Sequence, residues 1–340
     1  MKRFKNLFLM ASAALAALLT AGCGKDAVRT RSGRTEVVFT TVFRTKAAVS
    51  SHEDHIASLD LLVFRCDNGQ LDAYNRSTGG TAVSGNLSVG VSVRYYVVAN
   101  APEGVLSSFA DEASFLGAKT LLSQSTASSL LMHGSGSFTV VSGSSAVPVS
   151  LDRYVSKVSV QRVEVKWLDS FVTPPSVTLG RVALVNAVGD CPWSGTPEAG
   201  SLWFNRMEIE DVDDGTPAMA NVGDMLSASY SLPVPDSAPL VLTGSLYAMP
   251  NPTSNGVNSA TDPLWSPRNT RVAVELLVDG VSNWYPVDLP GMLGNRHYIV
   301  TNFAVLGPGA DSPDKPVSRS EVEMDVIVQD WEDIDTDIVF

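Results

Sequence analysis

The segment TEVVFTTVFR, residues 35–44, most constrains the fold, because its side chains alternate between two faces over nine residues. β-Branched and aromatic residues suit a pleated, half-buried surface, and successive side chains of a strand point to opposite faces. One face carries Val37, Phe39, Thr41 and Phe43. A strand with such an apolar face needs a sheet and a core beneath it. The sequence therefore predicts a β-strand over residues 35–43 that ends at a basic residue, Arg44.

Two interpretations of Arg44 follow from the residues alone. If the chain is cut after Arg44, the protein loses this strand and exposes an apolar groove. Alternatively, residues 35–43 are an ordinary first strand with a basic residue at its end. Arg29, Arg31 and Arg34, in the small and basic tether that precedes the strand, are further candidate protease sites.

The first 22 residues have the form of an export signal. A basic start at Lys2, Arg3 and Lys5 precedes an apolar run over residues 7–20, which is short for a membrane span. The run ends LTAGC, and small residues directly before a cysteine resemble a bacterial lipobox, with Thr20 where leucine is usual. We expect Cys23 to carry the lipid, which would make this an exported, membrane-anchored precursor. A plain secretory signal cleaved nearby is the alternative.

The composition excludes some partners and some kinds of site. Without residues 1–22 the chain keeps all 36 acidic residues and loses three of its 24 basic ones, so its net charge falls from −12 to about −15. Such a charge argues against nucleic-acid binding. Beside Cys23 only Cys66 and Cys191 remain, and their pairing is left open.

Short strands separated by turn signals recur along the chain, which is typical of β-sandwiches. We expect a mainly β fold with two sandwiches in series, over residues 45–150 and 151–340, and one helical segment over residues 105–125 in the first. The period of two slips once near Gln161, as at a bulge. After a Pro/Gly linker the chain ends in an arm, residues 321–340, on which Val322, Met324, Val326 and Val328 share a face.

A search for chemistry finds no catalytic constellation, and neither a cofactor nor a metal is predicted. His52 and His55 flank Glu53 and Asp54, but no distant ligand completes a metal site. No nucleophile elbow, zinc-protease motif or phosphate-binding loop occurs.

The order and spacing of several segments resemble the Bacteroidota (Bacteroidales) type V fimbrillins, FimA-like and FimB-like. The resemblance covers nearly the whole chain and is carried by the lipobox and by TEVVFTTVFR, LDLLVFRCDNGQL, YYVVANAPEG, VPVSLDRYVSKVSV, NRHYIVTNFAVLGPG and VEMDVIVQDWE. It implies transthyretin-like sandwiches in a subunit that reaches the outer membrane as a lipoprotein. In this family an arginine-specific protease removes the first strand, and the C-terminal strands of a neighbouring subunit fill the groove. The product is a cell-surface fimbria that supports adhesion and virulence.

Mapped onto this chain, the resemblance places lipid on Cys23, the cut after Arg44, and the donor arm at residues 321–340. The family also contains anchor members, which keep their lipid and are not cut, and tip members. A second hypothesis is a monomeric surface lipoprotein that binds glycan or peptide through Trp193 and Trp203.

Overall fold

The computed structural model describes residues 33–42, 52–143, 145–167, 174–206, 219–253, 267–313, 317 and 321–331. In its first half the strands are β1 (Arg34–Val42), β2 (Ser58–Arg65), β3 (Leu71–Thr78), β4 (Ala82–Ser88), β5 (Ser92–Ala99), β6 (Lys119–Leu121), β7 (Met132–Thr139), β8 (Ser145–Ser150) and β9 (Asp152–Arg153). One α-helix, α1 (Glu112–Gly117), and short 3₁₀ turns at His52–Asp54, Leu106–Ser108 and Leu122–Gln124 lie between them.

The described residues of the second half add thirteen strands and a 3₁₀ turn at Val222–Asp224. The strands are β10 (Ser156–Val160), β11 (Arg162–Val165), β12 (Val177–Val185), β13 (Ala187–Val188), β14 (Asp190–Pro192), β15 (Trp203–Phe204), β16 (Ser227–Pro233), β17 (Leu240–Val241), β18 (Leu246–Ala248), β19 (Arg271–Val278), β20 (Val281–Asp288), β21 (Arg296–Val305) and β22 (Val322–Asp330). The predicted mainly β fold class is confirmed.

Two sheets of the first half share one core. The sheet β4-β1-β8 contributes Val37, Phe39 and Val149, and the sheet β3-β2-β5-β7-β9 contributes Leu61 and Val97, among others, to the same buried cluster. A hairpin joins β2 and β3, and Gly69 supplies the positive φ of its turn.

The larger sheets of the second half are formed by strands from β10 onward. One has the order β17-β11-β21-β10-β18, with β22 also paired to β21, and the other has the order β16-β12-β19-β20. A single buried cluster reaches from Leu62 to Trp331, and β6 pairs with β14 across the two halves. The division of the chain into domains 45–150 and 151–340 stays a prediction.

The helix predicted over residues 105–125 is wrong in its extent. Only six residues are α-helical, because Asp111 caps their start by accepting from the Ser114 amide at 2.8 Å, and Ala118 is already extended. The following residues form β6 and pair with Asp190–Pro192. Phe115 and Leu122 are fully buried, so tertiary packing rather than a continuous helix accounts for their apolar character. No helix in the described ranges is long and apolar enough to cross a bilayer.

Candidate functional site: the first strand and the C-terminal strand

Strand β1 is the central strand of its three-stranded sheet. It runs antiparallel to β4, from Arg34 opposite Ser88 to Thr40 opposite Ala82. On its other side it runs parallel to β8, from Val37 opposite Ser145 to Val42 opposite Ser150. Because both neighbours bond to β1 along most of its length, its loss would leave two open strand edges facing one gap.

The alternation predicted for this strand is confirmed. Val37 and Phe39 are fully buried and Thr41 is 8% exposed, whereas Val42 is 47% exposed. The Phe39 ring packs against Tyr95 and Phe138, with centroid distances of 5.0 and 6.1 Å. Burying one such apolar side chain is worth about 1.5–3 kcal/mol, so β1 is a main element of this core.

The bounds of the strand bear on the candidate protease sites. β1 spans Arg34–Val42, so it begins one residue before the predicted start at residue 35. The Arg34 guanidinium donates to the Asp72 carbonyl oxygen at 2.8 Å and to the Asn86 carbonyl oxygen, and it forms an ion pair with the Asp72 carboxylate at 3.7 Å. Arg34 is therefore part of a paired strand, a poor substrate for a protease. Cys23, Arg29, Arg31, Phe43 and Arg44 lie outside the described residues.

Strand β22 lies at the opposite end of the chain and pairs with β21 of its own sheet. The antiparallel register runs from Val305 opposite Val322 to Arg296 opposite Asp330, with one irregularity between Val300 and Asn302. In the described part of the chain, β21 is the only strand paired with β22. Residues 322–330 of the predicted arm are thus an edge strand here, and residues 332–340 lie outside the described residues.

The apolar face of β22 is only partly covered. Val322 is buried, and Met324 and Val326 are half-buried against the second-half core. Val328, predicted on the same face, is 47% exposed, and Ile327 on the other face is 52% exposed. A groove of about 890 Å³ runs between β22 and residues 286–288 of β20. The strand therefore adheres to its sheet through few well-buried side chains.

The residues considered for other kinds of site have structural roles. Trp193 is 1% exposed and meets Tyr154 edge-to-face, so it offers no stacking surface to a sugar. Trp203 is half-buried and donates to the Gly200 carbonyl oxygen at 3.0 Å. Cys66 is an exposed free thiol and Cys191 a buried one.

The acidic residues Glu53 and Asp54 are paired with basic side chains. Glu53 lies 2.8 Å from the Lys157 ammonium, and Asp54 pairs with Arg153. In the described residues no group of three or more His, Cys, Asp or Glu side chains could hold a metal ion. Glu53 also contacts Trp331, a link across the whole chain that sequence analysis missed, since no local pattern signals a contact between residues 278 positions apart.

Comparison with known protein families finds one that resembles part of this chain. The family model "Major fimbrial subunit protein (FimA)" matches residues 36–161, a stretch that starts inside β1 and ends after β10. That family consists of structural subunits rather than enzymes. No curated protein sequence matches this chain.

Solved structures share the fold at low sequence identity. A Bacteroides eggerthii protein assigned to cell adhesion has a TM-score of 0.62 and 18% identity, covering 88% of this chain and 96% of its own. The fimbrilin FimA of Porphyromonas gingivalis W83 has a TM-score of 0.58 and 15% identity, over 87% and 97% of the two chains. The tip fimbrial protein Mfa3 of Porphyromonas gingivalis, solved with a C-terminal truncation, has a TM-score of 0.52 and 17% identity, over 88% and 100%. The predicted resemblance to fimbrillins is confirmed.

Proposed function

We propose that this chain, whose residues 36–161 match the family model of the major fimbrial subunit, is a fimbrial protein that assembles by strand exchange. Its first strand is removed by an arginine-specific protease, and the C-terminal arm of a neighbouring subunit takes the vacated place. Repetition of this exchange makes the fimbria, in which the protein is a structural subunit that supports adhesion.

The position of β1 at the centre of its sheet is the observation that carries the proposal. Without β1, the backbone groups of β4 and β8 that now bond to it lose their partners, and such groups strongly favour being paired. The positions of Val37 and Phe39 become apolar pockets spaced two residues apart. An added strand meets both needs, because its main chain bonds to the open edges and its alternate side chains fill the pockets.

The C-terminal arm matches this gap in length and pattern. β22 and β1 are both nine residues long. Val322, Met324 and Val326 follow each other at the spacing of Val37 and Phe39. To donate any part of residues 322–330, the arm must first leave β21. Donation from each subunit to the next does not close on itself, so it gives an open fibre.

The earlier steps of the proposal rest on the sequence. The precursor is exported by residues 1–22, carries lipid on Cys23 and reaches the outer membrane. Cleavage after Arg44 then removes the lipid-bearing N-terminal segment together with β1. The engagement of Arg34 within β1 supports Arg44 over Arg34 as the processed site.

The test uses full-length precursor and a trypsin-like protease. We expect the processed protein to begin at Thr45 without lipid and to form filaments visible by negative-stain electron microscopy. Arg44→Gln should stop both processing and assembly, whereas the matched variant Arg34→Gln should leave both intact. Deletion of residues 321–340 should stop elongation while the processed subunit stays folded. Filaments from the deletion variant would refute the arm as donor.

One observation favours a second candidate, a lipid-anchored fimbrial anchor or stand-alone surface lipoprotein. β22 pairs with β21 along its whole length, as an ordinary member of its sheet would. An anchor keeps its lipid and its first strand. Intact mass and N-terminal sequence of the protein taken from the cell surface separate the two, since a lipidated start at Cys23 identifies the anchor.

A further inference from the structure

A half-buried carboxylate, that of Glu53, joins the segment after β1 to the end of β22. The Glu53 carboxylate accepts from the Lys157 ammonium at 2.9 Å, from the Tyr247 hydroxyl at 2.5 Å and from the Trp331 indole nitrogen at 3.3 Å. Although burial alone raises the pKa of Glu53, the hydrogen bonds from Lys157, Tyr247 and Trp331 outweigh it and lower the pKa. The carboxylate is therefore charged at neutral pH, the form that binds all three donors.

Trp331, directly after β22, is buried and makes several specific contacts. It is 3% exposed, its ring stacks on Tyr247 with a centroid distance of 5.8 Å, and the Arg153 guanidinium lies 4.5 Å from the ring centroid. Its backbone amide donates to the Asn295 carbonyl oxygen at 3.2 Å. Cations over an indole face and a stacked phenol both stabilise such a ring.

The turn His52–Asp54, which carries Glu53, makes a second ionic contact. Asp54 pairs with Arg153, and Arg153 also donates to the Trp331 carbonyl oxygen at 3.4 Å. Two acidic residues of the turn His52–Asp54 thus meet two basic residues, Arg153 of β9 and Lys157 of β10. Every charge in the cluster has a partner, which is the condition under which buried charges are tolerated.

We propose that Glu53, Lys157, Tyr247 and Trp331 form a clasp that keeps β22 in its own sheet until the arm is donated. This inference rests on the proposed function. Within the described residues β22 has one strand neighbour, β21, and leaves Ile327 and Val328 exposed, so contacts at its two ends add to what the pairing with β21 provides. Val322 is buried at one end, and the clasp holds the other.

The place of Glu53 in the sequence links the clasp to processing. Glu53 lies in the ninth position after Arg44, so cleavage there leaves it close to the new N-terminus. In the precursor, β1 anchors the chain upstream of the turn by pairing with β4 and β8. Cleavage removes that anchor, the turn gains freedom, and the clasp weakens. The arm is then released only in subunits that have an open groove.

Hydrogen exchange of the intact precursor, followed by mass spectrometry, tests the clasp without any need for assembly. In Glu53→Gln we expect peptides over residues 322–330 to exchange about tenfold faster than in the wild type, with peptides over β1 unchanged. Trp331→Phe, which keeps a ring but loses the indole donor, should shift the same peptides.

A matched control is available in the first half. Glu112 is also a carboxylate that accepts from a cation and a tyrosine, Arg94 at 2.5 Å and Tyr96 at 2.8 Å. Glu112→Gln should leave exchange over residues 322–330 at the wild-type rate. If exchange over residues 322–330 also stays at the wild-type rate in Glu53→Gln and Trp331→Phe, the clasp is refuted.

An assembly readout separates failure of the clasp from failure of the proposed function. After protease treatment, Glu53→Gln should polymerise faster than the wild type and Glu112→Gln should not. Equal rates for all three processed proteins would overturn the clasp and leave donor-strand assembly standing. If none polymerises while residues 322–330 still exchange faster in Glu53→Gln, the assembly proposal fails and the clasp remains as the contact that retains β22.

Discussion

Replacement of Phe39 by alanine tests both the packing of β1 and its removal. The ring is fully buried and contacts Tyr95 and Phe138. Truncating a buried phenylalanine removes its transfer free energy and leaves a cavity, together about 3–5 kcal/mol. Val42→Ala, on the same strand but 47% exposed, should change the free energy of unfolding by less than about 0.5 kcal/mol.

Urea unfolding followed by tryptophan fluorescence measures both variants, in the precursor and again after protease treatment. In the precursor we expect Phe39→Ala to lower the free energy of unfolding by about 3–5 kcal/mol and Val42→Ala to leave it almost unchanged. In the processed protein residue 39 is gone, so wild type and Phe39→Ala should give superimposable curves. A loss below about 1 kcal/mol in the precursor would refute the packing argument. A difference that persists after processing would show that the strand stays bound, which refutes its removal.

Three further outcomes follow from single sites. At pH 8 an alkylating reagent should modify Cys66 in the native protein but reach Cys191 only on unfolding, because Cys191 is 3% exposed and burial raises its pKa to about 12. Burial and the neighbouring positive charge of Lys157 lower the pKa of His297 to about 4, so this residue should contribute a fall of about 2–3 kcal/mol in the free energy of unfolding as the pH drops from 7 to 4.5. Burial also lowers the pKa of His133, so His297→Gln should remove its own part of the slope in urea titrations and leave the part due to His133. Gly134→Ala should lower the free energy of unfolding by about 3 kcal/mol in the same assay, because the new Cβ would lie 2.3 Å from the Ser150 carbonyl oxygen; wild-type stability would mean that β7 and β8 can separate there.

Periodic patterns in the sequence predicted the elements whose faces are unequal. Val37 and Phe39 alternate with less buried residues, so their strand, its buried face and nearly its bounds could be predicted. The slip near Gln161 is also real in the burial pattern, because the buried residues change from Val158 and Val160 to Val163 and Val165, while β10 and β11 keep one register with β21. Such features depend on neighbours in sequence, which local pattern captures.

Features that depend on distant partners could not be predicted. The segment around Phe115 has apolar residues at helical spacing, but Phe115 and Leu122 owe their burial to the packed core, and the chain is already extended at Ala118. Glu53 and Asp54 look like half of a metal site until their partners, Lys157 and Arg153, are known. The edge position of β22 likewise follows from its pairing with β21 and from no property of its own residues.

Under the proposed assembly, the mixed parallel and antiparallel neighbours of β1 would give the fibre a direction. An antiparallel ladder has alternating narrow and wide pairs, whereas a parallel ladder has evenly spaced, slanted bonds. β4 offers the first pattern to β1 and β8 the second, so a replacement strand that entered reversed would mismatch both edges at once. Under the assembly proposed here every donated strand therefore points the same way along the fibre. The two ends of such a fibre are chemically different, one presenting an unfilled groove and the other an undonated arm, and a subunit of one kind can add at each.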